Sequence, residues 1–280
     1  MVDSVYEPPF DFSKLLSIMA LLRSERGCPW DREQTHASIR QNLLEEAYEV
    51  CEAIDLDDKA LLCEELGDVL LQVIFHARME EEAGGFSIDA VVDGLCRKLI
   101  LRHPHVFGSA RVEGSDEVLT RWEEIKQKSK GRTTGHEAMR AVARSLPALM
   151  RAEKIQKKAR KMGFDWPSVE GAWDKLLEEC SELKTAMEER GNAEEELGDL
   201  LFAAVNVARF LHIDPERALE RACDKFTDRF GYVESGALSS GRRLDEMTLA
   251  EMDKLWDERK RLERAKKEAS TDLSFQKDVQ

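Results

Sequence analysis

EELGDVLLQVIFHAR at residues 64–78 and EELGDLLFAAVNVAR at 195–209 align position for position without a gap. The likeness extends outward in both directions. Upstream, LLEEAYE (43–49) is answered by LLEECSE (176–182). Downstream, Lys98 and Arg102 are answered by Lys225 and Arg229, and Trp122 and Lys126 by Trp256 and Lys260. Matched positions lie 133 residues apart at Glu46 and Glu179, 131 at Asp68 and Asp199, 127 at Lys98 and Lys225, and 134 at Trp122 and Trp256. A solenoid repeats every roughly 20–50 residues, so this period marks a duplicated domain.

Each copy opens on an amphipathic stretch: Leu15, Leu16, Ile18, Met19 and Leu22 before Gly27, then Leu146, Leu149, Met150 and Ile155 before Gly163. The two glycines are expected as helix stops. A tryptophan-bearing loop follows (CPWD at 28–31, FDWP at 164–167), then two acidic helices, the second turning apolar, and a helix with the Lys/Arg pair. Scarce proline and long periodic segments argue against sheets joined by tight turns, so the expected fold is all-α, two tandem homologous helical-bundle domains. The polar, glycine-bearing stretch 128–137 reads as a linker, which sets the expected domains at 12–134 and 135–264 with a disordered polar tail at 265–280.

The chain has 280 residues, 42% of them hydrophobic, ample for folded domains. Fifty-six acids against 42 bases leave a charge of −14, which disfavours nucleic acid as a partner. No stretch approaches the roughly 18 apolar residues of a membrane span, and the start carries no basic segment followed by an apolar one. The expectation is a cytoplasmic protein with no membrane partner. Six scattered cysteines form no C-x-x-C pair and are expected as reduced core thiols.

Glu46 and Glu49 are three apart on one predicted helix, and Glu65 and Asp68 three apart on the next; Glu179, Glu182, Glu196 and Asp199 repeat the pattern. Residues so spaced share a helix face, and facing helices would bring four carboxylates together. In an acidic chain such pairs commonly mark a solvated face. Here, however, Leu70, Leu71, Val73, Ile74 and Phe75 follow directly, as do Leu200, Leu201, Phe202, Ala203 and Val205, so the acids enter helices that are being buried. Gly67 and Gly198 sit between the paired acids, where a helix interior loses roughly 1 kcal/mol relative to alanine; a ligand or close helix packing would account for them.

Two carboxylates about 4 Å apart repel by about 4 kcal/mol at an effective dielectric near 20. A converging set therefore calls for cations, and an all-oxygen donor set suits Mg²⁺, or Mn²⁺, better than Zn²⁺. Magnesium held this way completes its shell with water and substrate phosphates, which points to phosphate chemistry. Lys98 with Arg102, and Lys225 with Arg229, each present two cations from one helix face. Trp122 with Lys126, and Trp256 with Lys260, set an aromatic surface beside a cation. Taken singly, each pair reads as a salt bridge or a packed indole; recurrence in both copies makes ligand binding a competing reading.

Glu-Glu-x-x-Glu followed by Glu-x-x-Asp within ELGD, together with GCPWDREQTH (27–36) and RHPHVFG (102–108), closely resembles the MazG nucleoside triphosphate pyrophosphohydrolases of the all-α NTP pyrophosphatase superfamily. The likeness covers about residues 12–262. It implies Mg²⁺-dependent hydrolysis of NTPs and dNTPs between the α and β phosphates, giving monophosphate and pyrophosphate, by a homodimer. Carried over by position, the catalytic metal ligands would be Glu46, Glu49, Glu65 and Asp68 in one copy and Glu179, Glu182, Glu196 and Asp199 in the other. Lys98, Arg102, Lys225, Arg229, Trp256 and Lys260 would contact nucleotide, with Trp122 and Lys126 as weaker counterparts. In two-copy relatives the C-terminal copy is often the main catalyst.

No G-x-x-x-x-G-K-[ST] occurs, so phosphate must be held by metals and side chains. Glu45 and Glu178 point away from their neighbouring ligands, and neither is assigned as general base. The second copy lacks both CPWDREQTH and HPHVF, so those stretches are not needed for a shared chemistry. His103, His105, His36 and His76 are expected in structural roles, and RAEKIQKKARK (151–161) as a solvated helix face. Competing readings are a narrow dUTP/dCTP or phosphoribosyl-ATP pyrophosphohydrolase, and a helical regulator that senses nucleotides without turnover.

Overall fold

The computed structural model describes residues 7–111, 114, 117, 118, 121, 122, 125, 126 and 134–277, with side chains as far as Lys266. All regular structure among these residues is helical. The chain divides into two compact units, Met1–Lys130 and Gly131–Gln280. In unit 1 the helices are α1 (Phe12–Leu22), α2 (Pro29–Glu33), α3 (Arg40–Asp55), α4 (Lys59–Glu82), α5 (Ile88–Arg102) and α6 (Pro104–Phe107). In unit 2 they are α7 (Gly135–Arg140), α8 (Ala148–Lys161), α9 (Val169–Glu189), α10 (Ala193–Phe210), α11 (Pro215–Ser239) and α12 (Leu249–Lys277), with a 3₁₀ turn at Leu244–Glu246.

Each unit is organised on one helical hairpin, α3 with α4 and α9 with α10. The connections, residues 56–58 and 190–192, are too short for anything but a reversal. Each contains a left-handed residue, Asp57 at φ +52° and Arg190 at φ +56°. The residue before the next helix then caps it: Asp58 accepts from the Ala60 and Leu61 amides, and Asn192 from that of Glu195.

The interiors differ in the size of what they bury. Unit 1 packs Met19, Ile39, Ile74, Phe75 and Met79 together, flanked by Leu15, Leu16, Leu71 and Ile88; each such side chain stabilises by about 1.5–3 kcal/mol when fully buried. The buried apolar residues of unit 2 are small, namely Ala138, Val142, Ala172, Ala203, Val205, Val207, Val233 and Ala237.

Gly163, at φ +83°, follows the end of α8 as a helix stop should. Gly27 serves differently. Helix α1 already ends at Leu22, and a Cβ at Gly27 would lie 2.1 Å from the Leu21 carbonyl oxygen, so glycine is required because the chain doubles back against the helix end. Helix α7 starts inside the expected linker, at Gly135, where Thr134 and Glu137 form a capping box; residues 128–133 of that stretch lie outside the described residues. Backbone through Lys277 continues α12, where composition suggests a frayed tail; its Ala, Lys and Glu residues carry good helix propensity. The six cysteines are free, but the expectation that they are core thiols does not hold: five are exposed at outward-facing helix positions, and Cys28 is half-buried in the turn before α2. No helix among the described residues is long and apolar enough to cross a membrane.

Candidate functional site

In unit 1, α3 supplies Glu46 and Glu49 and α4 supplies Glu65; one carboxylate oxygen from each lies within 4.8 Å of the others. In unit 2, Glu179 from α9 meets Glu196 and Asp199 from α10 within the same limit. Three of each expected quartet thus converge, and the outlier differs: Asp68 in the first copy, Glu182 in the second. Neither outlier is remote, since Asp68 acts electrostatically on Glu46 and Glu65, and Glu182 feels Glu179 and Glu196. A Cβ on Gly67 or Gly198 would meet nothing within 4 Å, so helix packing within each unit does not explain these glycines.

Charge is balanced differently in the two clusters. The Glu46 carboxyl is raised above its ordinary value by desolvation and then by the negative charge of Asp68, Glu49 and Glu65. Glu65 is raised likewise, by desolvation, Glu49 and Asp68. In unit 2 the Lys175 Nζ lies 2.7 Å from Glu179 and 2.7 Å from Glu178, which holds the ammonium well above the usual lysine range. The frame that pairs Glu46 with Glu179 puts Asn42 opposite Lys175, so that position supplies no cation to the first cluster. Glu182 is still raised, by desolvation and by Glu179. Three hard oxygen donors from two rigid helices, with like charges pushing carboxyls upward, fit a divalent cation that prefers oxygen.

A cleft of about 880 Å³ opens beside the second cluster, with Glu179, Asp199 and Lys175 at its edge and Ile155, Phe164, Trp166, Phe202 and Ala203 among its walls. Its size is that of a small-molecule site. Extending the same frames, Ala172 and Asn206 line it where unit 1 has the core residues Ile39 and Phe75. Arg209 closes one side: its guanidinium pairs with Asp165 (Nη1 to Oδ2 3.0 Å, Nη2 to Oδ1 2.5 Å) and donates to Asn206 Oδ1.

The MazG nucleotide pyrophosphohydrolase domain model matches residues 34–107 and again 168–233, each match spanning one acidic hairpin. Over 249 residues the chain is 45% identical to the nucleoside triphosphate pyrophosphohydrolase/pyrophosphatase MazG of Thermotoga maritima, covering 89% of this chain and 95% of that protein. It is 45% identical to the nucleoside triphosphate pyrophosphohydrolase of Escherichia coli over 255 residues, 89% and 97% of the two chains. The chain belongs to the MazG family. The family resemblance therefore covers both halves, and the tandem organisation is part of it. Protein YabN of Bacillus subtilis is 47% identical over 272 residues, which is 93% of this chain but 55% of that one.

The cation and indole positions form the same motif twice in this MazG chain. Arg102 lies 5.1 Å from the Trp122 ring centroid and Lys126 4.7 Å from it; Arg229 lies 5.6 Å from that of Trp256. Each indole thus packs against the chain's own arginine. Arg229 is further held by Glu263 at 2.7 Å, Trp256 touches Phe226, and Lys260 reaches Asp257 at 3.3 Å. Lys98 and Lys225 are exposed. His103 donates from Nδ1 to the Leu99 carbonyl at the end of α5, and His36 stacks on His76 with its Nε2 3.0 Å from Glu80. Lys175, Gln156, Asn206 and Arg209 are additional residues at the second site. Lys175 had a readable signal, a cation three and four residues before Glu178 and Glu179; the other three had none strong enough, since Gln156 sits in the basic stretch of α8.

Proposed function

We propose that this chain is a divalent-cation-dependent nucleoside triphosphate pyrophosphohydrolase, cleaving NTPs and dNTPs between the α and β phosphates to give a monophosphate and pyrophosphate. The observation that carries this reading is the recurrence of a three-carboxylate cluster on the hairpin of each half, one of them opening on a ligand-sized cleft. Mg²⁺, or Mn²⁺, is the proposed cofactor. Glu46, Glu49 and Glu65 with Asp68 nearby, and Glu179, Glu196 and Asp199 with Glu182 nearby, would hold it. When bound, such a cation offsets charge on the attacked phosphate and makes water a usable nucleophile near neutral pH.

The chain's own groups supply the rest. Glu179 is buried and ion-paired with Lys175 at 2.7 Å, so part of the repulsion within the second cluster is offset. Lys175, beside Glu178 and Glu179, would offer a substrate phosphate oxygen a cationic donor, because an ammonium is a compact charge on a flexible stem. Lys225, Arg229, Trp256 and Lys260, with Lys98, Arg102, Trp122 and Lys126 as their counterparts, are proposed nucleotide contacts. We further propose a cytoplasmic homodimer with domains at 12–134 and 135–264.

Incubation of the full chain with each NTP and dNTP plus Mg²⁺, with products identified by chromatography, tests the reading. Monophosphate and pyrophosphate are expected. Diphosphate with phosphate, or no turnover with any nucleotide, overturns it.

A further inference from the structure

The open end of the unit 2 hairpin is held by a strap. Helices α9 and α10 are joined at residues 190–192, and at their other ends the segment Phe164–Trp166 meets both. Asp165 forms a two-point pair with Arg209, one residue before α10 ends, and its Oδ1 also accepts from the Trp166 amide at 3.1 Å. Trp166 lies on the first turn of α9, where a Cβ at Gly171 would stand 2.7 Å from the indole Cγ, so only glycine admits the ring. The strap starts from a fixed point, since the Phe164 amide donates to the Ala159 carbonyl at 3.1 Å as α8 ends.

A buried ion pair is by itself weak evidence for stability, because desolvation offsets much of its attraction. Unit 1 builds the equivalent hairpin without one: Ile39 and Phe75 fill its interior while Arg78 stays at the surface. What a bidentate fork supplies beyond apolar packing is a fixed distance and angle. Unit 2 has a use for that, since Ala172, Ala203 and open volume stand in the cleft where interlocking side chains would otherwise set the width. Glu179 lies ten residues from Val169 and Asp199 ten from Arg209, about 15 Å along each helix. With the turn as pivot, a spread of about 1 Å at the strap reaches the acids as about half of that, which is the tolerance of a ligand set. We propose that Asp165 and Arg209 are positioning residues: the strap sets the spread of α9 and α10, and hence the spacing of Glu179 against Glu196 and Asp199. This rests on the reading of that cluster as a cation site.

Mn²⁺ binding to the full chain, read from the EPR signal of the free ion without nucleotide, tests the proposal in a Glu46→Gln/Glu65→Gln background that leaves the second cluster intact. Asp165→Asn keeps the shape of the side chain, and Gly171→Ala displaces Trp166 but leaves the ion pair; each is expected to weaken binding about tenfold. The Mn²⁺ concentration for half-maximal turnover should rise in step, with kcat at saturating Mn²⁺ within about twofold. Val233→Ala, a core truncation on α11 rather than on the hairpin, should lower stability yet leave Mn²⁺ affinity within about twofold. Affinity unchanged in either folded strap variant, or reduced equally in Val233→Ala, overturns the inference and leaves the cation reading intact. A parent chain that binds no Mn²⁺ overturns both.

Discussion

Arg78 and Arg209 occupy the same position of the duplicated stretch, yet their side chains are 31% and 4% exposed. Arg78 makes surface pairs one turn along its own helix, with Glu81 and Glu82. Arg209 reaches across to Asp165 and braces Asn206 at the wall of a cleft. Nearby substitutions complete the contrast: Phe75 and Ile39 fill the interior of unit 1, while Asn206 and Ala172 leave space in unit 2. A helical hairpin with its acid cluster can therefore be kept while the adjoining volume is either packed shut or opened, because the acids and the residues that set this volume occupy different turns of the same helix faces, Glu179 and Ala172 on α9 and Asp199 and Asn206 on α10.

If the open half is the working one, Glu179→Gln should lower kcat by about a thousandfold and Glu46→Gln by less than about twofold, measured on the full chain with Mg²⁺. Equal losses would erase the distinction between the halves. Next in size is the buried pair. Asp165→Ala strands Arg209 and should cost about 3 kcal/mol of unfolding free energy in urea, whereas Arg78→Ala should cost about 0.5 kcal/mol or less, as surface pairs do. Smaller still, Gly198→Ala and Gly67→Ala meet no steric obstacle within their units and should each add up to about 1 kcal/mol. A gain in thermal stability accompanied by lost turnover at Gly198 alone would place a ligand or partner against that helix face in one half only.

The smallest effect concerns pH. Glu46 and Glu65 have folded values raised above 4.5, so the folded state binds more protons than the unfolded state between that value and the raised ones. Their contribution to stability consequently falls as pH rises through this window, the reverse of a salt-bridged carboxylate. Asn42→Lys supplies the cation that unit 2 has at Lys175 and should bring the Glu46 carboxyl back down, as followed by carboxyl-carbon NMR titration. A Glu46 titration that stays high in this variant would mean that burial, not missing countercharge, governs the cluster.

Much of the site was legible before folding. The i, i+3 acids declared the helix faces, and their place at the head of apolar runs declared a buried hairpin. Which three acids meet was not legible, since helix rotation within the hairpin decides between Asp68 and Glu65, or Glu182 and Glu196, as the closer partner. Gln156 looked like one more polar residue on the basic face of RAEKIQKKARK; its burial depends on Phe202, 46 residues away. The cysteines misled in the other direction, being apolar in type but placed on outward faces.

By itself the chain determined its duplication, its helices, their caps and the carboxylate pairs, because these depend on spacing of a few residues along a backbone with a fixed period. The cleft, the buried arginine and the buried amides were decided only in three dimensions. Each arises where residues from α8, α9 and α10 enclose a volume together, and an enclosed volume is a property of several side chains at once.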